Sequence, residues 1–461
     1  MSGRPQDLAD YVRAGYRECI ARGLPIVAGL SGGVDSVVLL HLLRRQLRVP
    51  VTRLSAIHVN HQLHPLAGRW AAFCRRYCRQ LGVPLKVIKV EVVRGNSTER
   101  SAREARYRAL RETEADVIAL GHHLNDQAET VLLQLLRDGG PRGLSAMPVC
   151  RRPAGGGPLL WRPLLHCSRS AIEGYARRYR LEWVEDDSNE NRRFRRNFIR
   201  HEVLPVLLRE MPDTLERLAS AAAKQQDTVA LLDEIAQADL GGVSAFPVEA
   251  AGLMALPERR CRNALRYLLG NAGVRVPAAK RLSELARQLR ECRNDAQLAV
   301  TMDGVTLRLF RGRLYAVDSR AADAVVDRQF VAHWRDWPAR RRLQLPNGRL
   351  MMRKARGVGL LPEAVGNGGL TVRYRRGGEV MPERTGGPRR TLQGLLQALA
   401  VPPWERGELP LLYAGETLVA IADRLVHPDF RAGSGDTGYR VEWLPNRQAV
   451  LQCFSHDLPA A

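Results

Sequence analysis

Between residues 24 and 138 the apolar positions alternate between short unbroken runs and longer helical periodicities. Pro25–Leu30 is a short apolar run suited to a buried strand, and Val37–Leu43 is apolar enough for a buried helix. Arg53–Val59 reads as a second strand, residues 66–81 as a helix, and Leu85–Val90 as a third strand. Asn96 followed three residues later by Glu99 is a capping-box variant that opens a helix running to about Arg111. Asp116–Leu120 is a fourth strand, and a helix follows from about Asn125. Repeated strand–helix units predict a parallel sheet covered on both faces, with ligands at the C-terminal ends of its strands. Residues 151–158, rich in Gly and Pro, read as a surface loop.

From about Pro212 the pattern changes. Residues 214–240 read as one long helix bridging to a new region. Residues 245–320 mix helical stretches (Pro257–Leu269, Ala278–Cys292) with short strands (Gln297–Met302, Val305–Arg311, Arg313–Val317). Residues 321–340, with Trp334 and Trp337, read as a charged linker and turn. A last region begins near Arg341, with a helix at Thr391–Leu396. The fold class is α/β, in three domains: residues 1–213, 214–325 and 341–445.

Composition narrows the partner. The chain has 461 residues, 71 of them Lys or Arg against 48 Asp or Glu, for a net charge of +23. Only five of the 71 are lysine. Arginine grips phosphate in a bidentate fork and stacks on bases, so the excess points to nucleic acid. An apolar fraction of 45% and a mean hydropathy of −0.26 describe a soluble globular protein. No stretch approaches a membrane span, and the N-terminus lacks a signal-peptide core, so a cytoplasmic location is expected. The eight cysteines form no CxxC and read as free thiols; Cys74 and Cys78 are four apart, but no second pair completes a metal site.

The first candidate chemistry is Ser31-Gly32-Gly33-Val34-Asp35-Ser36, between the first strand and the first buried helix. A strand, a glycine turn and a helix aim free backbone N–H groups at an anion. Gly32 and Gly33 allow close approach to phosphate oxygens, and Ser31 and Ser36 add hydroxyl donors. Asp35 would repel phosphate unless it holds Mg²⁺ or a polar group of a nucleotide. The plain alternative is an Asp favoured by a helix N-terminus. No GxxxxGK[ST] occurs, which excludes a Walker loop.

The second strand ends in His58-Val59-Asn60-His61, and the fourth in Gly121-His122-His123-Leu124-Asn125-Asp126-Gln127-Ala128-Glu129-Thr130. Asp126 and Glu129 share one helix face. Three readings stand: acids that bind Mg²⁺ or an amine substrate, simple helix capping, or a transition-metal site of His58, His61, His122, His123 and Asp126. Arg103 and Arg106 lie on one face of an Arg-rich helix suited to phosphate. Residues 189–200 carry Arg192, Arg193, Arg195, Arg196 and Arg200, a basic run suited to phosphate.

SGGVDS resembles the PP-loop of the N-type ATP pyrophosphatases, which adenylate an oxygen to activate it. HxNHxL, AREARY, GHHxxDQxET, RPLL at Arg162–Leu165, and Asp186-Asp187-Ser188-Asn189 followed by Arg196-Asn197-Phe198-Ile199-Arg200 resemble, in that order, the bacterial tRNA(Ile)-lysidine synthetase family. Residues 372–425 resemble the C-terminal domain of its longer members. The resemblance implies a PP-loop ATPase fold with two smaller α+β tRNA-binding domains. It implies ATP held by residues 31–36 with His58, Asn60 and His61, and Mg²⁺ on Asp35. It implies catalytic roles for Asp35, Asp126 and Glu129. Contacts to tRNA or substrate would come from Arg103, Arg106, His122, His123, Asn189, Arg196, Asn197 and Arg200, and from Arg373, Arg375 and Arg376 in the last domain. The implied partners are free L-lysine and tRNA(Ile) with a CAU anticodon, whose wobble cytidine becomes lysidine through an adenylated intermediate; a homodimer is compatible with this. The alternatives are a tRNA 2-thiolase, which would need a catalytic cysteine pair, and a non-catalytic tRNA-binding protein. One departure is Leu63-His64, where the family often has Leu-Arg; another is the want of its usual Ser in Pro65–Gly68.

Overall fold

A computed structural model describes residues 8–20, 23–62, 64–90, 101, 105–106, 108–110, 113, 115–153, 157–185, 195–274, 279–292, 298–319, 326–366 and 368–446. The chain forms two compact units, Met1–Ala236 and Gln237–Ala461.

The first unit is built on a six-stranded sheet in the order β3-β2-β1-β4-β6-β5. These strands are β1 (Ile26–Gly29), β2 (Leu54–Asn60), β3 (Leu85–Lys89), β4 (Val117–Ala119), β5 (Cys150–Arg151) and β6 (Leu159–Trp161). β1 lies centrally, its Ile26 paired in parallel with Leu54 on one side and Val117 on the other. The four strands expected from apolar runs are all present. The edge differs from the expectation: β6 adds in parallel to β4, and β5 closes the sheet antiparallel to β6. Of the Gly/Pro-rich stretch at 151–158, Arg151 belongs to β5, and residues 154–156 lie outside the described residues. β5 and β6 are two and three residues long, too short for a periodicity signal.

The helix Val34–His41 carries Val37, Val38, Leu39 and Leu40 completely buried, which is why it reads as apolar all round. The long helix is Thr214–Asp239. Through Ala236 it belongs with the first unit: Leu215 and Ala219 pack with Leu124, Ala128, Ile199 and Leu204. The expected cap at Asn96 lies outside the described residues.

The second unit is mostly antiparallel. Helices Glu258–Asn271 and Ala279–Glu291 share a core with a four-stranded sheet of β7 (Val248–Glu249), β8 (Ala299–Met302), β9 (Val305–Phe310) and β10 (Arg313–Asp318). Beyond it lie a five-stranded sheet, a three-stranded sheet and a two-stranded ribbon. The linker reading of residues 321–340 is corrected here. β11 (Val331–Trp334) is an edge strand of the five-stranded sheet, and Trp334 and Trp337 sit in its core. The Trp334 indole donates to the carbonyl of Arg340 at 2.7 Å.

Candidate active site

The loop after β1 is built by its own side chains. The Ser36 hydroxyl accepts from the N–H groups of Ser31 and Gly32, both at 3.2 Å, and donates to the Gly33 carbonyl at 2.9 Å. The Ser31 hydroxyl accepts from the Gly33 N–H at 3.3 Å. The Ser36 proton is therefore spent on the loop, and its work is to hold the cradle in shape. Gly32 has φ near +99°, and a Cβ there would lie 3.4 Å from the Cys74 sulfur. The helix at Val34 has no side-chain cap; the Ser36 and Val37 N–H groups bond to the Gly33 carbonyl, and those of Val34 and Asp35 are left for an anion.

His58 and Asn60, expected on ATP, hold this frame. The buried His58 bonds through Nδ1 to the Leu30 carbonyl at 2.8 Å, and Cys74 Sγ lies 3.5 Å from the same nitrogen. Asn60 Oδ1 accepts from the Gln62 N–H at 2.9 Å, and its amide donates to the Ala67 carbonyl at 3.4 Å. His64, the departure from the family pattern, stacks on Trp70 with centroids 4.8 Å apart and accepts from the Leu66 N–H. His61 keeps a buried Nδ1 with no partner among the described residues. Burial and the nearby Arg106 guanidinium lower its pKa.

Gly121, at the end of β4, lets the two site elements meet. A Cβ there would lie 3.1–3.2 Å from backbone atoms of Asp35 and Ser36. As a result His123 Nε2 sits 3.7 Å from Asp35 Oδ1 and 3.5 Å from Asp126 Oδ2. The Asp35 Oδ1 is a buried acceptor with no hydrogen bond among the described residues. Burial raises the Asp35 pKa, opposed by His123 and reinforced by Asp126. Half-buried His122 is held neutral, its pKa lowered by burial to about 3.

Asp126 and Glu129 do share a helix face, on Leu124–Leu135, but that face is already occupied. Glu129 is completely buried and accepts from the Nε of both Arg196 and Arg200, each at 2.6 Å. Asp126 Oδ1 accepts from Arg196 Nη2 at 2.9 Å, and its Oδ2 accepts from the His123 N–H at 3.1 Å. Burial pushes the Asp126 carboxyl upward, but His123 and Arg196 outweigh it and bring its pKa down to about 2. Glu129, read as a candidate amine holder, is instead the counter-ion of two arginines. A small cavity of about 80 Å³ lies beside this network, lined by His123, Asn125, Arg169, Arg200 and Leu204 among others. Asn125 and Arg169 belong to no motif of the sequence. The Asn125 side chain accepts from the Arg169 N–H at 3.0 Å, and the guanidinium acts on Asp35 and Asp126. A lone Arg at a helix start gives no signal that would find it.

Arg103 and Asn189 lie outside the described residues. Arg106 is close enough to His61 and His122 to lower the pKa of both. Asn197 is buried on the short helix Arg195–Phe198. In the second unit, Arg373 stands 3.8 Å over the Tyr413 ring and pairs with Glu416, and Arg376 donates to the carbonyls of Arg328 and Gln329. The Arg376 guanidinium is committed within the fold, whereas the buried Arg373 Nε has no hydrogen bond among the described residues. Half-buried Arg375 has no hydrogen bond among the described residues.

The transition-metal reading fails on geometry. Among the described residues no three His, Cys, Asp or Glu side chains converge as ligands, and His58 is tied to Leu30. The reactive cysteine pair a thiolase would need is not formed by Cys74 and Cys78. Both are buried, with thiols pushed up to about 12 and about 11.

Comparison with known proteins agrees with this layout. Residues 16–207 match the PP-loop domain model, residues 249–315 the TilS substrate binding domain and residues 370–443 the TilS substrate C-terminal domain. The tRNA(Ile)-lysidine synthase of Nitrosomonas europaea is 35% identical over 98% of this chain and 98% of its own length. The chain belongs to the tRNA(Ile)-lysidine synthase family. The synthases of Ralstonia nicotianae (39% identical; 92% of this chain, 94% of its own) and Pseudomonas aeruginosa (40%; 90% and 92%) span it similarly. In family terms, the SGGVDS cradle is the PP-loop of an ATP-using domain. An uncapped helix N-terminus beside an orphaned buried carboxylate oxygen suits a triphosphate with a hard cation.

Proposed function

We propose that this protein is an ATP-dependent ligase that attaches free L-lysine to C2 of the wobble cytidine of CAU-anticodon tRNA(Ile), giving lysidine. The observation that carries the reading is a family match over nearly the whole chain, together with an intact PP-loop.

The cytidine C2 oxygen is a poor leaving group; adenylation joins it to the α-phosphorus of ATP with release of pyrophosphate, so that it departs as part of AMP when the lysine amine attacks C2. In this reading the N–H groups at the start of helix Val34–His41 take the negative charge of the departing pyrophosphate. Asp35 would hold Mg²⁺, which supplies charge neutralisation on the phosphate oxygens. Ser36 keeps the cradle open, and the Leu30–His58 bond anchors it to the sheet. Neutral His122 offers an uncharged face to the base.

Lysine must attack as a free amine, although its reference pKa is about 10.4. Asp126, held near pKa 2, is a weak base but a permanent anion, suited to orienting the ammonium. Arg196, Arg200 and Arg169 surround it with positive charge. Like charge and desolvation both lower an amine pKa and oppose the pull of Asp126, so the arginines ease loss of the proton without a strong base. Glu129 keeps Arg196 and Arg200 in place.

The test is incorporation of labelled lysine into CAU-anticodon tRNA(Ile) and elongator tRNA(Met) transcripts, with and without ATP. ATP-dependent label in tRNA(Ile) alone is expected. Pyrophosphate release stimulated by tRNA with no lysine incorporated would keep the adenylation and reject lysine as nucleophile.

A further inference from the structure

The helix that carries Asp126 and Glu129 is held from behind by a segment outside the site itself, Arg142–Pro148. Gln127 lies between the two acids on that helix, is buried, and faces away from them. Its amide donates to the Met147 carbonyl at 2.9 Å, and its Oε1 accepts from the Met147 N–H at 3.1 Å. The same Met147 carbonyl accepts a second amide, from Gln226 of the long helix, at 3.4 Å. Gln226 also donates to the Ser145 carbonyl at 2.9 Å. One further pair fixes the segment to the long helix, Arg142 with Asp233. On the side of the sheet, Arg162 Nη1 donates to the Pro148 carbonyl at 2.8 Å.

This is a continuous polar path from the long helix to the site helix, with the Met147 carbonyl as shared acceptor. Met147 is buried, so water competes poorly for these bonds and their geometry is defined. Asp126 and Glu129 are placed by the rotation and height of a helix of only 12 residues. A small shift of that helix would break the short bonds to Arg196 and Arg200 before it disturbed the core.

We propose that Gln226 is a positioning residue for lysine transfer: through the Met147 carbonyl shared with Gln127, the long helix sets the placement of the helix bearing Asp126. The proposal rests on the reading of Asp126 as the group that orients lysine.

Full-length protein carrying Gln226→Glu keeps the size of the side chain and loses the donor. Gln226→Lys keeps a donor. For Gln226→Glu, kcat for lysine incorporation should fall about tenfold. The KM for ATP should stay near that of the parent protein. Gln226→Lys should recover most of the rate. In an Asp126→Asn background, Gln226→Glu should cost less than about twofold more, because groups that act as a unit lose their effect together. Parent-like kcat in folded Gln226→Glu would overturn the proposal. So would equal losses in Glu and Lys variants, or a full tenfold additive loss on top of Asp126→Asn. If Asp126→Asn alone is fully active, the reading of Asp126 fails instead, and a rate loss in Gln226→Glu then stands apart from it.

Discussion

At the scale of single residues, the site contrasts three carboxylates. Asp35 has a buried oxygen without a hydrogen bond among the described residues, Glu129 is completely buried between two arginines, and Asp126, paired with the same arginines, keeps part of its carboxylate exposed. Asp35→Asn should therefore reduce lysine incorporation by about 100-fold or more, since it removes charge from the phosphate site. Retention of tRNA on a filter should be unchanged; a parallel loss of both would place Asp35 in tRNA binding. The acid response follows from burial. His122 has its pKa lowered to about 3 and His41 to about 4. A group depressed in the folded state contributes stability above its unfolded pKa, near 6.5, and that contribution is lost as pH falls toward the folded value. Stability should thus decline from about pH 6.5 downward. His122→Gln should flatten the decline between about pH 6 and about pH 3 in a thermal-melt series, and an unchanged slope would show that His122 is not the group responsible. Much of this residue layer was visible in the sequence as motif. What spacing did not reveal was that His58, Asn60 and Ser36 spend their polar atoms on the frame.

At the scale of elements, the site exists because β4 ends against the first turn of the helix after β1. Gly121 permits that approach. Gly121→Ala would push a Cβ to within 3.1–3.2 Å of Asp35 and Ser36 backbone, which cannot yield as a side-chain tip can. The cost should be about 1–3 kcal/mol of stability. Activity should fall with it, because Asp35 and His123 move apart. Gly68, on the helix Ala67–Leu81, would have nothing within 4 Å of an added Cβ and serves as the control. Gly68→Ala should be neutral or stabilising by up to about 1 kcal/mol. Equal melting temperatures for the two variants would remove the steric account. Strand–glycine–helix order was legible because parallel strands are buried on both faces and read as apolar runs. The β5–β6 hairpin was not, since strands of two and three residues carry no pattern. The second unit was harder still: its half-exposed antiparallel strands left Trp334 looking like part of a charged linker.

At the scale of the whole molecule, a net charge of +23 and a predominance of arginine call for a polyanion, and the tRNA of the proposed reaction meets that demand. Binding should be governed by counterion release, so affinity for tRNA should fall by about 10³-fold or more between 50 and 200 mM salt if six or more phosphates are contacted. The arginines do not contribute equally. Arg376 is bonded to the carbonyls of Arg328 and Gln329, and Arg373 to Tyr413 and Glu416, so their removal should disturb the fold around them first. Arg375 has no hydrogen bond among the described residues, and its charge acts on Glu379 only through space. Arg375→Gln should lower the slope of log K against log salt by about 0.7–0.9, the value for one phosphate contact, without changing the melting temperature. Arg376→Gln should lower the melting temperature and leave the slope as it was. If the two variants exchanged these signatures, Arg376 would be the phosphate contact and Arg375 the strut. A slope unchanged in both would place the phosphate contacts of this unit outside residues 373–376.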